Sequence, residues 1–180
     1  MRLILIRHPQ PLVDAGICYG STDLDVAPGE LERTLAALAP RLPAGLPVYS
    51  SPLRRCAGLA ACLSATPIFD ARLVEMHFGG WETRAWDDIP RAEIDAWAAD
   101  MVDYQPGGGE SVLRMAARIA AFHADLQRQL GDDGGAIVIC HAGAMRLLSA
   151  CHAGLAPPEM ALQAARIPHH IAYGATLILE

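Results

Sequence analysis

RLILIR, residues 2–7, sets an unbroken aliphatic run between two arginines. A run of that kind, with no polar alternation, reads as a strand buried on both faces, as in a parallel sheet. AIVIC, residues 136–140, reads the same way and is the most strand-like segment of the chain. Outward from the first run, a polar loop with prolines and glycines covers roughly 9–27. Leu31, Leu35, Leu38 and Leu42 recur at helical spacing and predict a helix over 28–42. PVYSS, 47–51, is a short strand, and Pro52 is expected in the first turn of a helix over 53–64. Residues 67–74 are weakly extended, and 83–104 read as short helices. Pro106-Gly107-Gly108-Gly109 breaks the chain before a long helix, 111–130, for which Ser111 is the expected N-cap. A turn at 132–135, the AIVIC strand, a helix over 142–153 and a last strand over 171–179 complete the pattern. Helices between successive strands predict a three-layer α/β/α fold: a mostly parallel sheet with helices on both faces, in one domain over 1–180.

Composition narrows the function. Of 180 residues, 52% are apolar, enough for a core and too many for a disordered chain. A formal net charge of -6 excludes a general nucleic-acid binder, which needs a basic face, yet a few arginines can still dominate one pocket. The five cysteines, Cys18, Cys56, Cys62, Cys140 and Cys151, form no CxxC pair, so neither a zinc site nor a disulfide framework is expected. The run Leu3–Ile6 is too short for a signal peptide and no stretch approaches a membrane span, so the expected location is the cytoplasm, with no membrane partner.

In open parallel sheets, ligands bind beyond the carboxyl ends of the strands. Arg7-His8 follows the first strand, Ser50 to Arg55 the second, and His141 the AIVIC strand. Taken singly, each has a bland reading: a satisfied histidine, a solvated Arg54-Arg55 pair, a surface Glu75. Together they suit phosphoryl transfer, which asks the protein mainly for positioning and charge stabilisation. Arginine offers phosphate a planar fork. A neutral imidazole held in one tautomer is a nucleophile, and a carboxylate can protonate the departing oxygen.

Four patches carry a resemblance: LIRHP at 5–9, SSPLRRCAGLA at 50–60, LVEMHFGGWE at 73–82 and VICHAG at 138–143. In order and spacing they resemble the histidine phosphatase superfamily, the phosphoglycerate mutase-like group. The third patch, together with GES at 109–111, is similar to the short alpha-ribazole-5'-phosphate phosphatases of cobalamin synthesis. The resemblance implies His8 as nucleophile, Arg7, Arg55 and His141 as phosphate ligands, and Glu75 as proton donor and later base. Arg55 is preferred to Arg54 because the family pattern is Ser-x-Leu-x-Arg, here Ser51 to Arg55. Three positions depart from the pattern: Pro9 replaces glycine, removing a backbone donor; Asp14 stands where asparagine is common; Leu59 replaces threonine. The implied activity is hydrolysis of a small phosphomonoester through a phosphohistidine, with a mutase-type phosphotransfer as the alternative. Phe78, Trp81 and Trp86 are candidates for a wall against a ring-bearing substrate.

A different chemistry is also open. Cys140 to Arg146 fits C-x5-R, the loop of cysteine-dependent phosphatases, although no Ser or Thr follows the arginine and Met145 is bulky. A non-catalytic binding module is a further reading, supported only by Pro9 and Asp14. His169-His170 raises a metal, but neighbours on a strand point to opposite faces. No metal and no cofactor are expected, and the expected partner is a small phosphorylated substrate.

Overall fold

Alternate side chains of β1 (Arg2–Arg7) supply the two halves of the core: Leu3 and Leu5 on one side of the sheet, Ile4 and Ile6 on the other. The computed structural model describes residues 1–167 and 170–180, so His169 lies outside the described residues. β1 joins β2 (Val48–Ser50), β3 (Ile68–Phe69), β4 (Gly135–Cys140) and β5 (Thr176–Leu179) in the order β3-β2-β4-β1-β5. The first four are parallel, and β5 runs antiparallel along β1 at the edge. The sheet is therefore mostly parallel, as the alternating pattern predicts.

Two helices, α1 (Glu30–Leu38) and α2 (Arg54–Leu63), cover the Ile4/Ile6 face, where Leu38, Cys56 and Leu59 meet Ile137 and Ile139 of β4. Leu59, standing where the family has threonine, is thus a core residue. α3 (Arg91–Ala99) packs apart from the sheet, against a cluster around Trp81. α4 (Val112–Leu130), α5 (Ala142–His152) and α6 (Pro157–Arg166) cover the other face, with Met115, Ile119, Phe122 and Leu148 buried against Leu3, Leu5 and Val138.

Several boundaries differ from the expected ones for local reasons. α1 begins at Glu30 because Gly29 sits in the left-handed region at φ 76°, and beyond Leu38 a 3-10 turn at Ala39–Arg41, with Pro40 inside it, ends the helix. Pro52 precedes α2 instead of entering it, and Asp23 caps the helix from another loop, accepting the Arg54 N–H at 2.7 Å. Ser111 caps α4 as expected, accepting from Arg114 N–H at 3.3 Å. The last strand is shorter than 171–179, because the Gly174 N–H turns back to the carbonyls of Arg7 and His8. α6 was not expected. Pro157 and Pro158 are well tolerated in its first turn, and Glu159 accepts the Ala156 N–H at 3.0 Å.

The loop at 77–80 and the Pro106–Gly109 break interlock backbone to backbone. A Cβ on Gly79 would stand 2.2 Å from the Gly107 carbonyl oxygen, and Gly79 itself has φ +54°. Gly79→Ala is therefore expected to destabilise the chain by about 1–3 kcal/mol. Gly58, inside α2, has only Leu31 Cδ2 near a Cβ, at 3.9 Å. Gly58→Ala should stabilise by about 0.5–1 kcal/mol. Urea midpoints of the two variants test this: a neutral Gly79→Ala would mean that the two loops do not depend on their close approach.

Candidate active site

The β1–β4 register pairs Arg7 with Cys140, so the next residues, His8 and His141, emerge side by side. Their rings lie 5.0 Å apart between centroids. The His8 N–H donates to the Cys140 carbonyl at 3.0 Å, and His8 Nδ1 lies 2.8 Å from the Pro9 carbonyl. A carbonyl only accepts, so Nδ1 carries the proton and Nε2 keeps its lone pair. Proline keeps its carbonyl, and this bond needs nothing more from residue 9. Burial, then the Arg55 guanidinium, pull the His8 pKa down to about 3; the Pro9 bond opposes this weakly and Arg7 adds to it. The imidazole is neutral throughout the physiological range.

Arg55 is fully buried at the start of α2. Its two terminal nitrogens donate to the carbonyls of Thr22 and Gly20, both at 2.6 Å. Arg54, by contrast, turns outward to Asp23 and Asp25. Arg7 donates to the Ile171 carbonyl and stacks over Tyr173, 3.9 Å from the ring centre. His141 is held by Ser51, with Nε2 2.9 Å from the hydroxyl oxygen. If Ser51 donates, His141 carries its proton on Nδ1. Burial, then His8 and Arg55, hold His141 well below the usual histidine range.

Four buried side-chain polar atoms lack a partner among the described residues: Arg7 Nε, Arg55 Nε, His141 Nδ1 and Trp97 Nε1. All four belong to residues lining one cavity of about 520 Å³, which His8 and Glu75 also line. Buried donors are rarely left unpaired, and a convergent set marks a ligand site.

Glu75 reaches this cavity from the loop after β3. Its Oε2 accepts the Gly143 N–H at 2.9 Å, in the first turn of α5, and its Oε1 accepts the Met76 N–H at 3.1 Å. A Cβ at residue 143 would stand 2.3 Å from Oε1, so only glycine admits the carboxylate here. Arg118 holds the loop from behind, donating to the carbonyls of Arg72 and Val74 while paired with Glu110. Glu82 is also engaged elsewhere. Burial alone would raise its pKa, but bonds from Thr22, Phe78 and Ser21 hold it below the usual value.

The five residues expected at the site, Arg7, His8, Arg55, Glu75 and His141, all line the cavity. Asp14 is exposed and does not line it. Of the proposed aromatic wall, Phe78 and Trp86 line it, but Trp81 does not. Trp81 is buried against Cys18 and Ile89, its indole N–H donating to Glu93 at 2.6 Å. Sequence reasoning missed Trp97, Tyr173 and the Ser51 bond. The C-x5-R reading fails on geometry. Cys140 is fully buried in the α4–α5 core, and burial raises its thiol pKa well above the ordinary value. Arg146 donates to the Ala164 and Ile167 carbonyls instead. Among the described residues no group of three or more His, Cys, Asp or Glu could hold a metal, and no helix is long and apolar enough to cross a membrane.

Residues 3–169 match the family model of the histidine phosphatase superfamily, branch 1. No curated protein matches the sequence. Among solved structures, the native mycobacterial glucosyl-3-phosphoglycerate phosphatase is 28% identical, with 89% of this chain and 83% of that chain covered and a TM-score of 0.74. The same mycobacterial phosphatase in complex with VO3 is 25% identical, covering 99% and 92%, with a TM-score of 0.77. The phosphoglycerate mutase of Thermus thermophilus is 27% identical, covering 83% and 82%, with a TM-score of 0.66.

The buried histidines predict an acid-sensitive fold. Unfolded, His8 takes up a proton near 6.5; folded, only near 3. Between those values the unfolded chain binds more protons, so stability is full above about 6.5 and falls as the pH drops towards about 3. His141 acts in the same direction. Each pH unit within the window is worth about 1.4 kcal/mol per histidine. The urea midpoint should drop between about pH 7 and about pH 4, and drop less in His8→Asn. An identical drop in both chains would exclude His8 as a source.

Proposed function

The chain belongs to the histidine phosphatase superfamily, and on that footing we propose that it hydrolyses phosphomonoesters through a phosphohistidine on His8. The observation that carries this reading is that Arg7, Arg55 and His141, each with a buried side-chain nitrogen unpartnered among the described residues, line one cavity with the neutral His8. Three donors suit the oxygens of a transferring phosphoryl group. The mycobacterial relative forms a complex with VO3, itself an oxyanion, which supports this reading.

The reaction runs in two steps. His8 Nε2 attacks phosphorus while the bond to the ester oxygen breaks, and the Glu75 carboxyl gives that oxygen its proton. Arg7, Arg55 and His141 donate to the phosphoryl oxygens, and Ser51 keeps the His141 proton on Nδ1. A water then attacks phosphorus, Glu75 takes back a proton from it, and the P–N bond breaks to release inorganic phosphate and neutral His8. The patch at 73–82 brings forward alpha-ribazole 5'-phosphate among small substrates.

With a chelator present throughout, His8→Ala should abolish turnover, and Cys140→Ser should retain most of it. Rapid quenching with labelled substrate should trap an acid-labile, base-stable phosphoenzyme. The opposite pattern, with Cys140 essential and His8 dispensable, would overturn the mechanism.

Glu75→Gln separates the acid's role from binding. A poor leaving group needs the proton more, so the variant should slow an alkyl phosphate by about 10²–10⁴-fold and nitrophenyl phosphate far less. Equal slowing of the two esters would remove Glu75 from the acid's role.

A further inference from the structure

Neither Arg7 nor Arg55 has a carboxylate partner among the described residues. Carbonyls hold them instead: those of Gly20 and Thr22 for Arg55, that of Ile171 for Arg7. Both charges act on His8 and on Tyr19. Like charges gathered around one site repel each other, the more so out of water. A carboxylate between them would relieve the repulsion, but it would also cancel the charge that a phosphoryl group needs. Each arginine has an aromatic face in place of an acid.

Tyr173 stacks on Arg7, its ring centre 3.9 Å from the guanidinium carbon, and the same ring lies 5.5 Å from that of His8. Tyr19 lines the cavity and faces Arg55 at 5.5 Å. A cation over an aromatic face is attracted by the ring quadrupole and keeps its full charge. A guanidinium stacked on its flat side also keeps its N–H edge for hydrogen bonds. The two phenol oxygens lie 2.8 Å apart, one hydroxyl donating to the other, although 154 positions separate the residues in the chain. Burial, then the Tyr173 bond, push the Tyr19 pKa up to about 12 against the pull of both arginines, so its hydroxyl stays protonated at neutral pH.

The backbone around each tyrosine is tied to the arginine that its ring faces. The Gly174 N–H donates to the carbonyls of Arg7 and His8 at 3.1 and 3.3 Å, and the Arg7 N–H donates to the Ala175 carbonyl at 3.0 Å. Tyr19 immediately precedes Gly20, whose carbonyl accepts from Arg55. The hydroxyl bond therefore joins the segment fastened to Arg7 to the loop fastened to Arg55.

We propose that Tyr173 and Tyr19 are positioning residues of the phosphate site: each ring seats one arginine, and the bond between their hydroxyls fixes the two arginines relative to each other. The proposal rests on the phosphatase reading above. Neither tyrosine exchanges a bond or a proton with the substrate; both act through the arginines.

Calorimetric titration with inorganic phosphate and turnover of nitrophenyl phosphate, both at pH 7, test this on the full chain. Tyr173→Leu keeps bulk but removes the aromatic face, and should weaken phosphate binding by about 3- to 30-fold, the range of one cation–π contact. Tyr173→Phe and Tyr19→Phe keep the rings and lose the bond. Each should weaken binding by about 2- to 5-fold, the lower part of the range for one net hydrogen bond, because the pair is open to water. The double Phe variant should be no weaker than either single one, since both lose the same bond. In an Arg7→Leu background, Tyr173→Leu should change kcat/KM by less than about 2-fold, whereas a merely structural role would carry its full loss into that background. If Tyr173→Leu binds phosphate as the wild type does while Arg7→Leu is impaired, the proposal fails and the phosphatase reading stands. If Tyr173→Leu does not fold, the Phe variants decide, and unchanged binding in both overturns the proposal. Losses that multiply in the double Phe variant overturn the link between the two arginines. A wild-type chain that neither binds phosphate nor hydrolyses the ester brings both readings down together.

Discussion

Arg55 takes a permanent positive charge out of water at the first turn of α2. Burying a charge costs several kcal/mol unless it is bonded, and the N-terminal end of a helix is the wrong end for a cation. The carbonyls of Gly20 and Thr22 answer two of its nitrogens and thereby pin the loop after β1 against the sheet. That loop is then tied from its other side by Glu82, which accepts from Ser21 and Thr22. The charge that remains acts on the neighbouring histidines, adding to burial in keeping both neutral. One buried guanidinium thus orders a loop, adds to burial in keeping His8 and His141 neutral, and leaves a positive floor that a phosphate dianion would complement.

The parallel sheet does the positioning. Because β1 and β4 are paired in register to their ends, two histidines that are 133 residues apart in the chain emerge at the same level. Ser51, just past β2, arrives beside them. The Glu75 side of the cavity is built on close approach: Gly143 has no side chain to exclude Glu75, and the 77–80 loop can sit on the 106–109 loop only because both present bare backbone there. Arg118 and Glu110 hold this assembly from the far side of the loop. The consequence is that Glu75 and His8, each held through bonds to backbone groups, line the same cavity.

Hydrophobic runs and helical spacing were enough to read the strands, most helices and the mostly parallel sheet, because burial imposes those patterns directly on the sequence. With the strand-end rule, they also brought Arg7, His8, the Arg54-Arg55 pair and His141 to one rim, while the family resemblance supplied the role of Glu75 and the choice of Arg55. α6 escaped because a proline pair suits a loop as well as a first helical turn, and only packing against α4 and α5 decides between them. Trp81 leaves the expected wall, and Trp97, for which no role was expected, joins it, for a similar reason. An aromatic residue looks the same in sequence whether it fills a core or lines a cavity, and α3 buries the first while bringing the second to the chamber.

The sequence by itself determined the class of fold and the chemical identity of the groups at the strand ends, since both follow from local composition and spacing. It could not determine which of two adjacent arginines is buried, which carbonyl orients the His8 ring, or that Arg146 is drawn to α6 and away from Cys140. Those outcomes depend on distances between segments remote in the chain. Hydrogen-bond partnership, desolvation and charge proximity come into being only when tertiary packing brings such segments within a few ångströms of one another.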